Sequence, residues 1–179
     1  MFARISSVPL AMIAVLATAP LAPAMAASDA VFFKAVAGEW KGPGEIVAGK
    51  YKGTRFSCNL EGLPESGKRA GISLDGNCRV GVFSQKMSAV ITRKGRSYSG
   101  RFLDGAAGEG LDVVSGRISS EQAVVAIKRK KLDGAMVAKL LDPETLNVSI
   151  SVKVGETMVP VIGMTLKRSQ GRVQTGSLR

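Results

Sequence analysis

Arg55-Phe56-Ser57-Cys58-Asn59-Leu60-Glu61, followed across a turn-rich connection by Ile72-Ser73-Leu74-Asp75-Gly76-Asn77-Cys78-Arg79-Val80-Gly81-Val82-Phe83, decides the fold class. Every second residue is apolar: Phe56, Cys58 and Leu60, then Ile72, Leu74, Gly76, Cys78, Val80 and Val82. Between them stand Arg55, Ser57, Asn59 and Glu61, then Ser73, Asp75, Asn77 and Arg79. A period of two is the mark of half-buried strands, because successive side chains leave a strand on opposite faces. Both thiols fall on the apolar face. Two antiparallel strands joined across residues 62–69 bring Cys58 and Cys78 together, and a disulfide is expected.

The same alternation runs outward from this hairpin. Strands are expected near 39–47, 53–61, 70–82, 85–93, 97–103, 111–117, 122–129, 134–140, 145–154 and 158–167. The clearest is Leu146, Val148, Ile150, Val152 and Val154 against Asn147, Ser149, Ser151 and Lys153. Gly155-Glu156-Thr157 and Asp142-Pro143-Glu144 read as turns on either side of it. Gly42-Pro43-Gly44 lies inside the first strand and suggests a bulge or sharp bend. Ahead of the strands, a short helix is expected over 30–37, with Ser28 as N-cap and Gly38 in the left-handed position past its end. Many short antiparallel strands at this spacing indicate an all-β fold, a closed or nearly closed barrel of about eight to ten strands.

Arg4 followed by the apolar run 8–16 and by Ala24-Met25-Ala26 reads as a signal peptide of residues 1–26, cleaved before Ala27. The barrel domain then covers 27–168, and 169–179 forms a disordered basic tail. Export to the periplasm agrees with a paired Cys58 and Cys78. The whole chain carries a formal charge of +11. Cleavage removes Arg4 alone among charged groups, leaving 24 basic against 14 acidic residues, a balance of +10. Export sets nucleic acid aside as a partner and points to an anionic envelope component or an acidic protein. No transmembrane segment is expected in the mature chain, which reads as a monomer.

Gly38-Glu39-Trp40 after a short helix resembles the G-x-W that opens lipocalin-like barrels. That resemblance implies a tryptophan plugging the closed end, covered by a basic residue from the last strand, here Lys167 or Arg168. A pattern running from Trp40-Lys41-Gly42-Pro43-Gly44 through Leu74-Asp75-Gly76-Asn77-Cys78, Tyr98-Ser99-Gly100 and Ser115-Gly116-Arg117 to Leu166-Lys167-Arg168 looks like one found in uncharacterised exported proteins of alphaproteobacteria. It implies a small periplasmic β-domain and no particular activity. The architecture is also similar to periplasmic inhibitors of secreted metalloproteases, in which the first residues enter the protease cleft; here those would be residues 27–30.

Histidine is absent. That excludes Ser-His-Asp and Cys-His catalysis and most zinc sites. No S-x-x-K with supporting motifs occurs. Asp104, Glu109 and Asp112 surround a glycine-rich loop but match no EF-hand spacing, and a solvated turn is the simpler reading. The expectation is therefore a protein without enzymatic activity, cofactor or metal. Two binding modes follow. In one, a basic outer surface made of Arg93, Lys94 and Arg96 with Lys128, Arg129, Lys130 and Lys131, gathered on one rim, holds an anionic partner. In the other, a small hydrophobic ligand sits inside the barrel against Trp40, Phe56, Leu74, Met87, Ile91, Tyr98, Phe102 and Ile150. The first requires a filled core and is slightly preferred; the second requires a cavity.

Overall fold

The computed structural model describes residues 25–65, 69–103 and 110–169. A helix, α1 (Met25–Val36), precedes ten strands: β1 (Gly38–Ile46), β2 (Arg55–Pro64), β3 (Gly71–Val80), β4 (Phe83–Lys94), β5 (Ser97–Leu103), β6 (Leu111–Ile118), β7 (Gln122–Arg129), β8 (Leu132–Asp142), β9 (Thr145–Val154) and β10 (Thr157–Arg168). Each strand pairs antiparallel with its sequence neighbours, and β10 closes back on β1. All ten expected strands are present, and the even count is the one that up-and-down closure requires. The expected signal peptide, apart from the start of α1, the loop 104–109 and the expected tail beyond Ser169 lie outside the described residues.

Alternation places the apolar set inside. Trp40, Ile72, Ile91, Val113, Val125, Ile127, Leu146 and Leu166 are buried, whereas Ser57, Asn59, Asp75 and Asn77 face outward. Polar outside and apolar inside is the reverse of a barrel whose outer wall meets lipid. Cys58 and Cys78 stand directly opposite each other on β2 and β3 and are bonded.

Up-and-down topology gives the barrel two distinct ends. Turns that follow even-numbered strands share one end with α1; turns that follow odd-numbered strands form the other, here called the mouth. Four of the connections are two-residue hairpins whose first residue has positive φ, the conformation matching strand twist. Glycine supplies it at 81, 95 and 155, and Lys130 (φ 51°) supplies it at the fourth.

Three expectations change. α1 starts at Met25, so Ser28 lies within the helix and not at its N-cap. Gly38 does take positive φ, at 100°. Gly42-Pro43-Gly44 forms no bulge, since β1 keeps one register against β2 from Gly38 to Glu45. Its glycines answer a different need, close approach. A Cβ on Gly42 would lie 2.1 Å from the Thr165 carbonyl oxygen, and one on Gly44 would lie 2.3 Å from the Phe56 ring. The third change concerns Val80 and Val82, which belong to the apolar face by periodicity yet are exposed at the mouth. Nothing in the described structure covers the barrel there.

Candidate functional site: an apolar chamber floored by the helix

α1 closes the end opposite the mouth. Phe32, Phe33 and Val36 are buried in the same cluster as the barrel side chains. Two groups of polar contacts hold the helix in place.

The first surrounds Asp29, which is fully buried. Its Oδ1 accepts the Ala30 amide at 2.8 Å. Its Oδ2 accepts the Tyr98 hydroxyl at 2.8 Å and lies 2.9 Å from Nε of Arg93 in an ion pair. The Arg93 guanidinium also sits 5.9 Å from the centre of the Tyr98 ring. Burial first, then the hydrogen bond to Asp29, push the Tyr98 phenol above the ordinary tyrosine range. A buried carboxylate survives because it is paired and hydrogen-bonded.

The second group covers Trp40. Its indole Nε1–H donates to the Val36 carbonyl at 2.9 Å. Arg168, its register partner on β10, lies 4.4 Å from the ring centre. The guanidinium donates through Nη1 to Ala37 O (2.7 Å), through Nη2 to Ala35 O (2.6 Å) and through Nε to Pro143 O (3.1 Å). One arginine thus binds carbonyls that the end of α1 leaves unpaired, as a cation at a helix C-terminus should. The resemblance to lipocalin-like barrels offers Lys167 or Arg168 for this place, and Arg168 holds it.

Above this floor lies a cavity of about 120 Å³. Phe33, Val36 and Trp40 form its base; Leu74, Met87, Phe102, Met136 and Ile150 line its wall. All of its lining residues are apolar except Ser88. A water needs only about 10–15 Å³ on this measure, together with polar partners. The volume is ample and the partners are missing, which is a site suited to an apolar molecule.

Of the residues expected inside, Trp40, Leu74, Met87, Ile91, Phe102 and Ile150 line the chamber. Phe56 does not: its ring lies over Gly44, filling the mouth side of β1 and β2. Tyr98 is buried beside Phe33 and turned to Asp29, outside the lining. Sequence reading missed the helix floor, because α1 shows weak amphipathic patterning and looks like a brief prelude to the strands. It also missed Asp29, whose partners lie 64 and 69 residues away.

The two basic clusters are not on one rim. Arg93, Lys94 and Arg96 flank the turn after β4, at the helix end; Lys128, Arg129, Lys130 and Lys131 flank the turn after β7, at the mouth. Turns three strands apart must sit at opposite ends of an up-and-down barrel. Arg93 is in any case engaged with buried Asp29. Residues 27–30 stand inside α1, anchored by Asp29, and form no free arm for a protease cleft. Asp112, from the loop considered for calcium, lies on β6 beside Arg101, with Nε to Oδ1 at 3.4 Å; Asp104 and Glu109 fall outside the described residues.

No family model and no curated protein matches the chain. Among solved structures it is similar to the S-type phycobiliprotein lyase CPES of Guillardia theta, with a TM-score of 0.58 and 10% identity, over 81% of this chain and 94% of that one. The fold is that of a lipocalin-like barrel. At this identity the likeness speaks for the fold alone, and it still corrects one expectation. The sequence reading sets enzymatic activity aside because histidine is absent. A lyase carries this barrel, so the architecture does not set enzymatic activity aside.

Proposed function

We propose that this is an exported protein that takes up a small hydrophobic molecule inside its barrel. The observation that carries the reading is the apolar chamber, about 120 Å³ with no titratable side chain in its lining. The chamber supports this reading over the outer-surface one, which requires a filled interior. The N-terminal run from Arg4 to Ala26 and the bonded cysteines support export to the periplasm. Cleavage before Ala27 would trim two residues from α1 and leave Asp29 in place.

The test is calorimetric titration with toluene, an apolar molecule on the scale of the chamber, as the probe. Saturable one-to-one binding is expected, and Ala89→Leu, which adds carbon into the lining, should weaken it at least tenfold (about 1.4 kcal/mol) without unfolding the barrel. Absence of saturable binding by the native chain, or equal binding by the filled variant, would remove the chamber from the function.

A further inference from the structure

The mouth carries exposed apolar residues that the core does not need. At the turn after β3, Val82 and Phe83 are 90% and 78% exposed. At the connection after β1, Tyr51 is 63% exposed, with Val47 beside it. Leu132 follows the turn after β7, and Val154 and Met158 flank the turn after β9. Isolated exposed apolar residues are ordinary, but here each of the four described mouth connections has at least one.

Each also carries basic residues close by. Lys50 and Lys52 flank Tyr51, Arg79 precedes Val80 and Val82, Lys130 and Lys131 precede Leu132, and Lys153 precedes Val154. The acids nearest these connections already have basic neighbours: Glu45 with Arg55 (3.8 Å), Asp133 with Lys128 (3.4 Å) and Glu156 with Lys153 (4.0 Å). Lys50, Lys52, Arg79 and Lys131 add positive charge beyond those pairs. The helix end also exposes Leu63 and Leu141, but there Glu39, Glu61, Glu65, Glu121, Asp142 and Glu144 stand among the basic Arg69, Lys94, Arg96 and Arg168, so its charge is mixed.

We infer that the mouth of the barrel docks on an anionic lipid bilayer, its apolar tips entering the headgroup layer and its lysines and arginines meeting the lipid phosphates. Apolar tips set among basic residues are the composition of an interfacial anchor, in which buried carbon and electrostatic attraction add. The polar outer wall keeps the barrel from sinking further. Register supports the orientation too: Val80 and Phe83 pair on the same inward face as Leu74 and Met87, with Cys78 and Gln85 between the tips and the chamber. Docking goes beyond the chamber reading and stands without it.

The experiment is co-sedimentation of the exported, processed chain with vesicles of equal parts phosphatidylglycerol and phosphatidylcholine, against vesicles of phosphatidylcholine alone. Binding to the anionic vesicles only is expected, and it should be lost in roughly 1 M salt, where screening shortens to about 3 Å. Lys52→Gln with Lys131→Gln should weaken it roughly 25-fold, taking about fivefold per charge. Val82→Ser with Phe83→Ser should abolish it; both positions are exposed, so the thermal transition should stay in place. Lys94→Gln with Arg96→Gln, at the helix end, should leave binding unchanged. The proposal is overturned by equal binding to both vesicle types, by no binding to either, by indifference to the mouth variants, or by an equal loss from the helix-end variant. It is also overturned if the mouth variants abolish self-association of the chain without changing vesicle binding.

Discussion

Asp29 is the residue on which the helix floor depends. A carboxylate with no exposed surface is kept by the Arg93 guanidinium, the Tyr98 hydroxyl and the Ala30 amide. Asp29→Asn would leave Arg93 without its counter-charge, and breaking one partner out of a buried pair costs roughly 3 kcal/mol. Chemical denaturation should show that loss, with binding of an apolar probe weakened because α1 is its floor. Tyr98→Phe removes a single hydrogen bond to a charged acceptor and should cost about 2 kcal/mol. The same tyrosine sets an alkaline limit. Its pKa is raised in the folded state, so its contribution is complete below the unfolded value near 10 and is lost as pH climbs through the folded value. Stability should therefore fall above about pH 10, and more shallowly in Tyr98→Phe. An unchanged alkaline slope in that variant would contradict the assignment. None of this was legible in the sequence, where Asp29 is one acid near the start of a short helix.

At the scale of elements, the pairing of β2 with β3 and the fixing of α1 matter most. The Cys58–Cys78 bond closes a separation of 20 residues, and reduction, or the double change Cys58→Ala with Cys78→Ala, should cost about 3 kcal/mol in the chain-entropy account. A thermal melt with and without reductant checks it. Arg168→Lys keeps the charge but gives up the planar fork that reaches two α1 carbonyls and Pro143 while covering Trp40. A loss of about 2 kcal/mol is expected, with tryptophan emission moving toward that of a wetter indole. The strands themselves were legible because period-two alternation is a local signal: Leu146 to Val154 shows it over nine residues, and β9 is found over Thr145–Val154. The span 42–44 was misread because glycine in a strand has two causes, a bulge or a close neighbour, and only the neighbour's position separates them.

For the molecule as a whole, parity decides what meets what. Once ten up-and-down strands are counted, the turns after β4 and β7 must lie at opposite ends, and the separation of Arg93, Lys94 and Arg96 from the cluster at 128–131 follows without any coordinates. That consequence was available in the strand count. Whether the interior is filled was not, because Leu74, Met87, Ile91 and Phe102 have the same composition around a solid core as around a chamber. Only the packing of α1 beneath them leaves the space visible. The helix floor, the apolar chamber and the basic mouth give a barrel closed at one end by α1, and the proposed uptake of an apolar molecule and docking on lipid use its two parts, the chamber and the mouth. The most direct measurement is native mass spectrometry of the chain recovered from the periplasm, followed by extraction into organic solvent. A stoichiometric adduct released into the solvent is the expected result, on a chain whose mass carries the two-hydrogen loss of one disulfide. The bare oxidised chain, with nothing extractable and no uptake of added toluene, would contradict the chamber as the seat of function.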